Sequence, residues 1–268
     1  MPILLLLVLA SIFVADTPSV QGEGAMLLLE HGDNAVFTAT SFLLDRRETV
    51  QWARDGAVIV DSPYAGGNTA RARNFAEQFG LRIVATDTPP APAFELRRPR
   101  VGVLRSRWVE SLLNQYKVPF GALAGGTGLR ARFDSIVLAE AASLDASALE
   151  AFVREGGTLV ALGDGAAFAV RSLGLAVVMA PGGERAHFDT THPVAFGMPA
   201  EGPVFWKATA GFEFQAPARA IATFGKTAAV LEYPLGRGRV LLFGFEPQLE
   251  GETRLLLNTV YWASAQPL

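Results

Sequence analysis

The sequence predicts an α/β protein with an open, mainly parallel sheet and helices on both of its faces. Short apolar runs with strand character alternate with helix-like segments over most of the chain, which is the pattern of strands joined by crossover helices. Of the 268 residues, 50% are hydrophobic and 18% are charged, so the chain can bury a sizeable core. This length fits one large domain, or one full domain with a smaller companion.

Residues 1–24 have the character of a secretory signal peptide. An uncharged run of apolar and small residues extends from Ile3 to Ala15. It is shorter than the roughly 20 residues of a spanning helix, so we expect export to the periplasm or the exterior, and no stable membrane span. Cleavage is expected at Ala15-Asp16 or between Gly22 and Ala25. No Lys or Arg precedes the run, which leaves open a buried first strand or a truncated start.

Residues 25–86 are predicted to form a small α/β unit. Asp33 and Asn34 are candidate N-caps for a helix that carries Trp52 and ends at Gly56, and a second helix ends at Gly80. These helices separate strand-like runs at 26–30, 57–61 and 81–85, a β-α-β-α-β order typical of a parallel sheet. Residues 87–99 contain four prolines and are predicted to be a linker.

Residues 100–268 repeat the alternation and then become rich in strands. The predicted strands and helices alternate, except that two strands follow the first helix: 100–106, helix 108–116, 120–125, 133–140, helix 144–155, 158–164 and helix 166–173. From residue 176 the segments are short and β-like. Two apolar runs flank Pro234 to Gly238, which indicates a hairpin, and residues 254–263 form a closing amphipathic helix.

Composition excludes several classes of site. The chain has no cysteine, so disulfides, thiolate metal ligands and cysteine nucleophiles are absent from it. A net charge of −3 favours no nucleic-acid partner. The glycine-rich stretch 121–128 lacks the Lys-Ser/Thr ending of a phosphate loop, so no cofactor is expected.

The three histidines predict no metal site. His187 and Asp189 share one face of a strand while His192 lies on the other, and residues 189–193 are interpreted as a turn before a strand at Val194. His31 is interpreted as a loop residue without a role. Four aromatic residues are candidates either for a peptide or sugar groove or for the core: Phe205, Trp206, Phe212 and Phe214.

Several segments together resemble a known domain. HPVAFGM (192–198), GRGRVLLFGF (236–245) and LEAFVREGGTLVALGD (149–164) are similar to the class I glutamine amidotransferase-like domain at the C-terminus of bacterial zinc carboxypeptidase-like proteins. The resemblance covers about residues 100–262, so residues 100–268 are taken as an amidotransferase-like domain. It implies a flavodoxin-like fold, and it implies that residues 25–86 are the segment that joins this domain to a peptidase domain.

Neither parent activity is carried over by the resemblance. Zinc carboxypeptidases hold their metal with an H-x-x-E pair, which this chain lacks. Glutamine amidotransferases place a cysteine on a sharp turn between a strand and a helix, followed by a His and a Glu. The matching turn here is Gly163-Asp164-Gly165-Ala166, with Asp164 expected at the elbow, and an aspartate cannot form a thioester.

The candidate ligand site lies where the parallel strands end. In open α/β sheets ligands bind at the carboxyl ends of the strands, which places Arg105, Ser106, Glu140 and Asp164 together. Two carboxylates near one Arg suit a cationic or hydroxylated ligand, or acid/base work if burial separates their pKa values. The alternative is structural, with Asp164 as the N-cap of the next helix and Glu140 as a cap or an ion-pair partner.

Three functional hypotheses follow. The first is a non-catalytic exported accessory protein that binds a protein or peptide partner. The second is a hydrolase of unknown substrate, with Glu140 and Asp164 as its carboxylate pair. The third is the detached C-terminal part of a zinc carboxypeptidase whose catalytic half is a separate polypeptide. No catalytic residue, metal ligand or cofactor site is assigned with the residues alone.

Overall fold

The computed structural model describes most of the chain as two sheets with helices packed against them. The described residues are 17–61, 69–104, 106–123, 126–140, 145–204, 209–247 and 253–268. The predicted leader therefore lies largely outside them.

The elements are numbered in chain order. The strands are β1 Ser19–Gly22, β2 Met26–Leu29, β3 Thr49–Ala53, β4 Val58–Asp61, β5 Arg82–Thr86, β6 Pro92–Glu95, β7 Val101–Val103, β8 Phe120–Ala122, β9 Ser135–Leu138, β10 Thr158–Leu162, β11 Val177–Pro181, β12 Arg185–Phe188, β13 Glu201–Pro203, β14 Ala210–Phe214, β15 Arg219–Phe224, β16 Thr227–Leu235, β17 Gly238–Phe243 and β18 Gln266–Pro267. The helices are α1 Ala35–Asp45, α2 Ala70–Phe79, α3 Arg107–Gln115, α4 Leu129–Arg132, α5 Ala146–Arg154, α6 Asp164–Ser172 and α7 Thr253–Ser264.

The N-terminal sheet has the order β1-β5-β2-β4-β3-β6-β18. Its central part is a β-α-β-β-α-β unit of the ferredoxin-like kind, in which β4 lies between β2 and β3 and runs antiparallel to both. β2 likewise lies between β4 and β5 and runs antiparallel to both. The prediction of a parallel sheet for this unit is therefore wrong.

The error comes from one strand that the helical pattern concealed. The first helix was predicted to run through Trp52, but α1 ends at Asp45 and β3 begins at Thr49. Arg47 has a positive φ of 63° just after the helix and reverses the chain. Beyond it Val50 and Trp52 both point into the core, with the period of two that a strand requires.

Two other N-terminal expectations are revised. The segment 87–99 is not simply a linker, because β6 within it pairs with β3 and with the C-terminal β18. Ser19–Gly22, which fell inside the predicted leader, forms β1 and pairs in parallel with β5. Both ends of the described chain thus belong to this sheet.

The second sheet confirms the predicted fold class. Its parallel part has the order β8-β7-β9-β10-β17, which is the 2-1-3-4-5 order of flavodoxin-like folds. β16 pairs antiparallel with β17 through the predicted hairpin, and β15, β12 and β13 continue the sheet in antiparallel fashion. β14 pairs with both β16 and β11.

Helices cover both faces of the parallel strands, as predicted. On β10, Leu159 and Ala161 join one apolar cluster with residues of α5 and α6, while Val160 and Leu162 join the other with residues of α3 and α7. The second cluster also contains side chains of the N-terminal unit, Trp52 among them. One continuous core therefore extends through both parts of the molecule.

Smaller differences concern short elements. Val194, expected to begin a strand, lies in a 3-10 turn at Pro193–Ala195, because Pro193 restricts φ and removes a ladder donor. The four-residue α4 was not predicted. None of the helices in the described ranges combines the length and the apolar character needed to cross a bilayer.

Candidate functional site

The strand order identifies the place where a ligand is expected. β7 has β8 on one side and β9 on the other, so the connections from β7 and from β9 leave the sheet on opposite faces. In open α/β sheets, ligands are expected at such a switch point, outside the carboxyl ends of the two strands; we call this place the switch-point crevice. The sequence-derived candidates follow β7, β9 and β10, and the structure confirms that these strands are parallel neighbours.

Two candidate residues, Arg105 and Ser106, follow β7. Arg105 lies outside the described residues. Ser106 is 3% exposed and is the N-cap of α3, where its hydroxyl accepts a hydrogen bond from the backbone N–H of Val109 at 3.5 Å. Its oxygen therefore serves the helix end, as is usual for a serine in this place.

Glu140 and Asp164 are both exposed at this end of the sheet. Asp164 is not the N-cap of α6: that position belongs to Gly163, and Asp164 is the first residue of the helix. The capping interpretation of Asp164 is thus wrong. The carboxylate remains in the first turn, where the helix dipole favours a negative charge.

Gly163 holds the sharp turn between β10 and α6. Its φ of 50° and ψ of −115° form a strained conformation that residues with a side chain rarely adopt, and its N–H donates to the carbonyl of Phe243 at 3.0 Å. Sharp strand-to-helix turns of this kind carry the nucleophile in many hydrolases. The residue in the strained conformation is a glycine, so Asp164 lies one position beyond the elbow in which it was expected.

Close packing explains the second glycine of the turn. A Cβ on Gly165 would lie 2.1 Å from the carbonyl oxygen of Leu138 at the end of β9. The helix α6 therefore approaches the sheet to a distance that only glycine permits.

Two residues at this end of the sheet were missed by sequence reasoning. Glu246 follows β17 and is half-buried, and its Cγ lies 3.2 Å from the point where a Cβ on Gly163 would be. Trp108, in the first turn of α3, is 66% exposed. The available signal was positional: each follows closely on a strand of the parallel set, as Glu140 and Asp164 do.

Two of the segments that carry the resemblance, 192–198 and 236–245, contribute to a buried polar network elsewhere in the molecule. His192 Nε2 lies 3.4 Å from a carboxylate oxygen of Glu232, and Arg239 donates to the other oxygen at 3.2 Å. The Arg239 guanidinium lies 4.1 Å from the ring centroid of Trp262, which also contacts the His192 ring edge-on. Burial opposes ionisation of Glu232, but the hydrogen bond with His192 and the Arg239 charge outweigh it and lower the pKa of this carboxyl.

These contacts give the HPVAFG and GRGRV segments a structural explanation. His192 is 3% exposed and its Nδ1 accepts from the N–H of Val194. Each polar group is held by a neighbour from a different segment, which fixes the hairpin and α7 relative to each other.

The other members of the histidine group have separate partners. His187 is exposed and its Nδ1 lies 3.8 Å from Glu201. Asp189 accepts from Thr191 and pairs with Arg219. Within the described part of the chain no three His, Asp or Glu side chains are grouped to hold a metal ion.

His31 lies in the turn after β2, as predicted, but it has a structural role that the sequence analysis did not assign. It is 7% exposed, and its Nε2 lies 2.9 Å from Oδ1 of Asn258, whose amide donates to the carbonyls of Val194 and Phe196. Burial, reinforced by the charge of Arg254, lowers the pKa of His31 to about 4. The imidazole is therefore neutral near pH 7 and joins the N-terminal unit to α7.

Of the four aromatic residues that were candidates for a groove, Phe212 and Phe214 belong to the core. Phe212 is fully buried in a core cluster, and Phe214 packs against the same cluster. Phe205 and Trp206 lie outside the described residues.

Comparison with known proteins gives similarity at the level of structure. No family model and no curated protein sequence matches the chain. A cytoplasmic protein from Salmonella typhimurium is 16% identical with a TM-score of 0.49, over 63% of this chain and 99% of that one. A glutamine amidotransferase from Thermotoga maritima is 12% identical with a TM-score of 0.40, over 61% and 81%.

A larger protein is also similar to this chain over part of its length. A β-galactosidase from Bacillus circulans sp. alkalophilus is 11% identical with a TM-score of 0.46, over 78% of this chain and 38% of its own length. The strand order of the molecule itself identifies the flavodoxin-like fold.

Proposed function

We propose that this chain is a non-catalytic binding protein whose switch-point crevice receives a basic segment of a protein or peptide partner. The observation that carries the non-catalytic part is Gly163. The residue in the strained turn between β10 and α6 has no side chain, so the position that a nucleophile occupies in hydrolases of this architecture offers no attacking atom.

The charge at this end of the sheet supports a cationic partner. Glu140 and Asp164 are exposed and Glu246 is half-buried, each following a parallel strand. Trp108 adds an exposed aromatic surface in the same region, and aromatic rings attract Lys and Arg side chains as well as packing against their aliphatic stems.

Binding is tested with a capped tri-lysine peptide as the probe and a capped tri-glutamate peptide as its counterpart. Trp108 fluorescence is the readout, with Trp108→Phe to identify its share of the signal. The double variant Glu140→Gln/Asp164→Asn is expected to weaken tri-lysine binding at least about threefold at low salt. The control Glu23→Gln/Glu77→Gln makes the same charge change at exposed positions of the N-terminal unit and is expected to bind as the wild type does.

Turnover is tested separately by mass spectrometry of a peptide pool after incubation with the full chain. We expect every peptide to be recovered unchanged. Cleavage products that vanish in Glu140→Gln would support the carboxylate-pair hydrolase instead. Against that alternative, both carboxylates are exposed, whereas a general acid of raised pKa needs a site shielded from water.

Export and a relation to zinc carboxypeptidase-like proteins are parts of the same proposal. They rest on the apolar run of residues 3–15 and on the motif resemblance over residues 100–262. If the chain works with a separate peptidase polypeptide, co-expression with a neighbouring gene product that carries H-x-x-E would yield a stable complex. Elution of the two as separate species would remove that form of the proposal.

A further inference from the structure

A cavity of about 480 Å³ opens where the N-terminal unit meets α7, away from the residues of the switch-point crevice. Its wall is formed by the loop that follows β2, the residues after the 3-10 turn, Tyr116, and the start of α7. The cavity is mainly polar, and two of its polar groups lack the partners that burial normally requires.

The first is the guanidinium of Arg254. This side chain is 6% exposed, and it donates to the carbonyls of His31 and Gly32, the latter at 2.8 Å. An arginine has five N–H donors, so these bonds leave others unused. Asp33 acts on it only at longer range, and no carboxylate of the described residues forms an ion pair with it. A buried cation without an anion is costly, so the site favours a negative ligand.

The geometry around Arg254 is held tightly. A Cβ on Gly197 would lie 2.7 Å from its Nη1. The centroid of the Phe37 ring lies 5.9 Å from the guanidinium carbon. The guanidinium is therefore fixed in place at the cavity wall rather than free to seek a carboxylate elsewhere.

The second group is the amide of Asn34. Its Nδ2 donates to Oγ1 of Thr253 at 3.1 Å, while its Oδ1 is buried and has no hydrogen-bond partner. The neighbouring Asp33 also lines the cavity, with one carboxylate oxygen accepting from the N–H of Ala35. The cavity wall thus combines a cation without an ion pair and an exposed carboxylate.

We propose that this cavity binds a small free α-amino acid. Its carboxylate would pair with Arg254, and its ammonium group would pair with the exposed carboxylate of Asp33. A plain carboxylate satisfies only Arg254, and a plain amine satisfies only Asp33. The two complementary groups on one carbon match the arrangement of the wall.

Glycine is the probe for the test, with acetate and methylammonium as its two halves at equal ionic strength. Titration of the full chain is followed by NMR of the Asn34 side-chain amide and the Arg254 Nε–H. We expect saturable shifts of both signals with glycine, and affinity at least about tenfold weaker for either half, since each half loses charge-assisted hydrogen bonds. Absence of saturable shifts with glycine, or equal affinity for acetate, would overturn the proposal.

The decisive variant is Asn34→Asp. It is isosteric, it can accept from the Thr253 hydroxyl, and it adds a negative charge to the wall that Arg254 also lines. We expect an unchanged or higher melting temperature together with at least a tenfold loss of glycine affinity, because the site no longer lacks an anion. Asn74→Asp on the exposed face of α2 makes the same charge change and is expected to bind glycine as the wild type does.

Arg254 also joins the loop after β2 to α7. Replacing Arg254 itself would therefore confuse a loss of binding with a loss of stability. Asn34→Asp avoids that problem. Wild-type glycine affinity in Asn34→Asp would show that the cavity is not the binding site.

Discussion

Single residues decide what the two polar regions of this molecule can do. At the β10–α6 turn a glycine takes the strained conformation, so the backbone has the shape of a nucleophile elbow without an attacking side chain. At the unit boundary a histidine is buried and neutral. The residue types alone do not predict the strained turn at Gly163 or the burial of His31, because glycine and histidine also occur in ordinary exposed loops.

Replacing Gly163 by alanine tests how far the turn depends on glycine. The φ of 50° with ψ of −115° is unfavourable for any side chain, and the new Cβ would crowd Glu246. We expect Gly163→Ala to lower the free energy of unfolding by about 2–3 kcal/mol in urea titrations.

The matched control is Gly174→Ala. Gly174 also has a positive φ, of 57°, but a Cβ there meets no atom within 4 Å. Its expected cost is about 1 kcal/mol, from backbone strain alone. Equal costs for the two variants would show that the turn at Gly163 is not specially constrained.

The protonation of His31 predicts a pH dependence of stability. Burial and Arg254 lower its pKa from 6.5 to about 4 in the folded protein, so between these values the unfolded chain binds a proton that the folded chain does not. The free energy of unfolding therefore decreases as the pH falls from about 6.5 to about 4, by up to about 3 kcal/mol from this group.

Urea titrations between about pH 4 and pH 6.5 measure the free energy of unfolding of the wild type and of His31→Gln. Gln can still donate to Asn258 but does not titrate, so the variant should lose that part of the pH dependence. His187→Gln removes an exposed histidine and should keep the wild-type profile. Identical profiles for wild type and His31→Gln would contradict the shift.

At the scale of elements, the strongest disagreement with the sequence lies in one segment, residues 45–53. The apolar spacing up to Leu44 is helical and continues acceptably to Trp52, so periodicity alone extends the helix. The structure instead places a left-handed Arg47 between α1 and β3. Without β3 a parallel β-α-β-α-β sheet is the natural prediction; with it the unit becomes ferredoxin-like.

If the proposed leader peptide is present, strand β1 restricts where it can be removed. β1 pairs in parallel with β5, and Val20 in it is 9% exposed. Cleavage after Ala15 preserves this strand, whereas cleavage between Gly22 and Ala25 removes it and leaves β5 as an open edge. If the chain is exported, we expect the mature protein to begin at Asp16.

Intact-mass measurement of protein recovered from the periplasm checks this expectation. Ala15→Arg puts a large charged residue before the expected cleavage site, where small residues are required, and should block processing there. A mature chain that begins between residues 23 and 26 would contradict the prediction.

Across the whole molecule, the sequence was informative where elements are regular and local. Strands β7, β9 and β10 and the helices between them follow from apolar runs and glycine ends, and their parallel order follows from the alternation. The partners of His31 and Arg254 could not be predicted, because they lie more than 200 positions away or are backbone carbonyls. Such contacts arise only when α7 returns to the N-terminal unit.

The two units are joined by apolar as well as polar contacts where α7 packs against the N-terminal unit. Trp52 of β3 packs edge-on against Phe196, with ring centroids 5.7 Å apart, and Phe37 of α1 stacks on Tyr261 of α7 at 5.8 Å. All four rings are at most 1% exposed. Because neither unit can keep these side chains buried without the other, we expect both to unfold together.

Hydrogen exchange measured by mass spectrometry tests this cooperativity. Backbone amides of β4, in the N-terminal sheet, and of β10, in the second sheet, should open with the same free energy. Asn258→Leu should lower both values equally, by about 3 kcal/mol or more, since it leaves the Val194 and Phe196 carbonyls and His31 Nε2 buried without partners. Asn74→Leu at an exposed position of α2 should change neither by more than about 0.5 kcal/mol. If β4 opened well below β10, or if Asn258→Leu affected only one of them, the two sheets would be independent folding units and the shared core would not couple them.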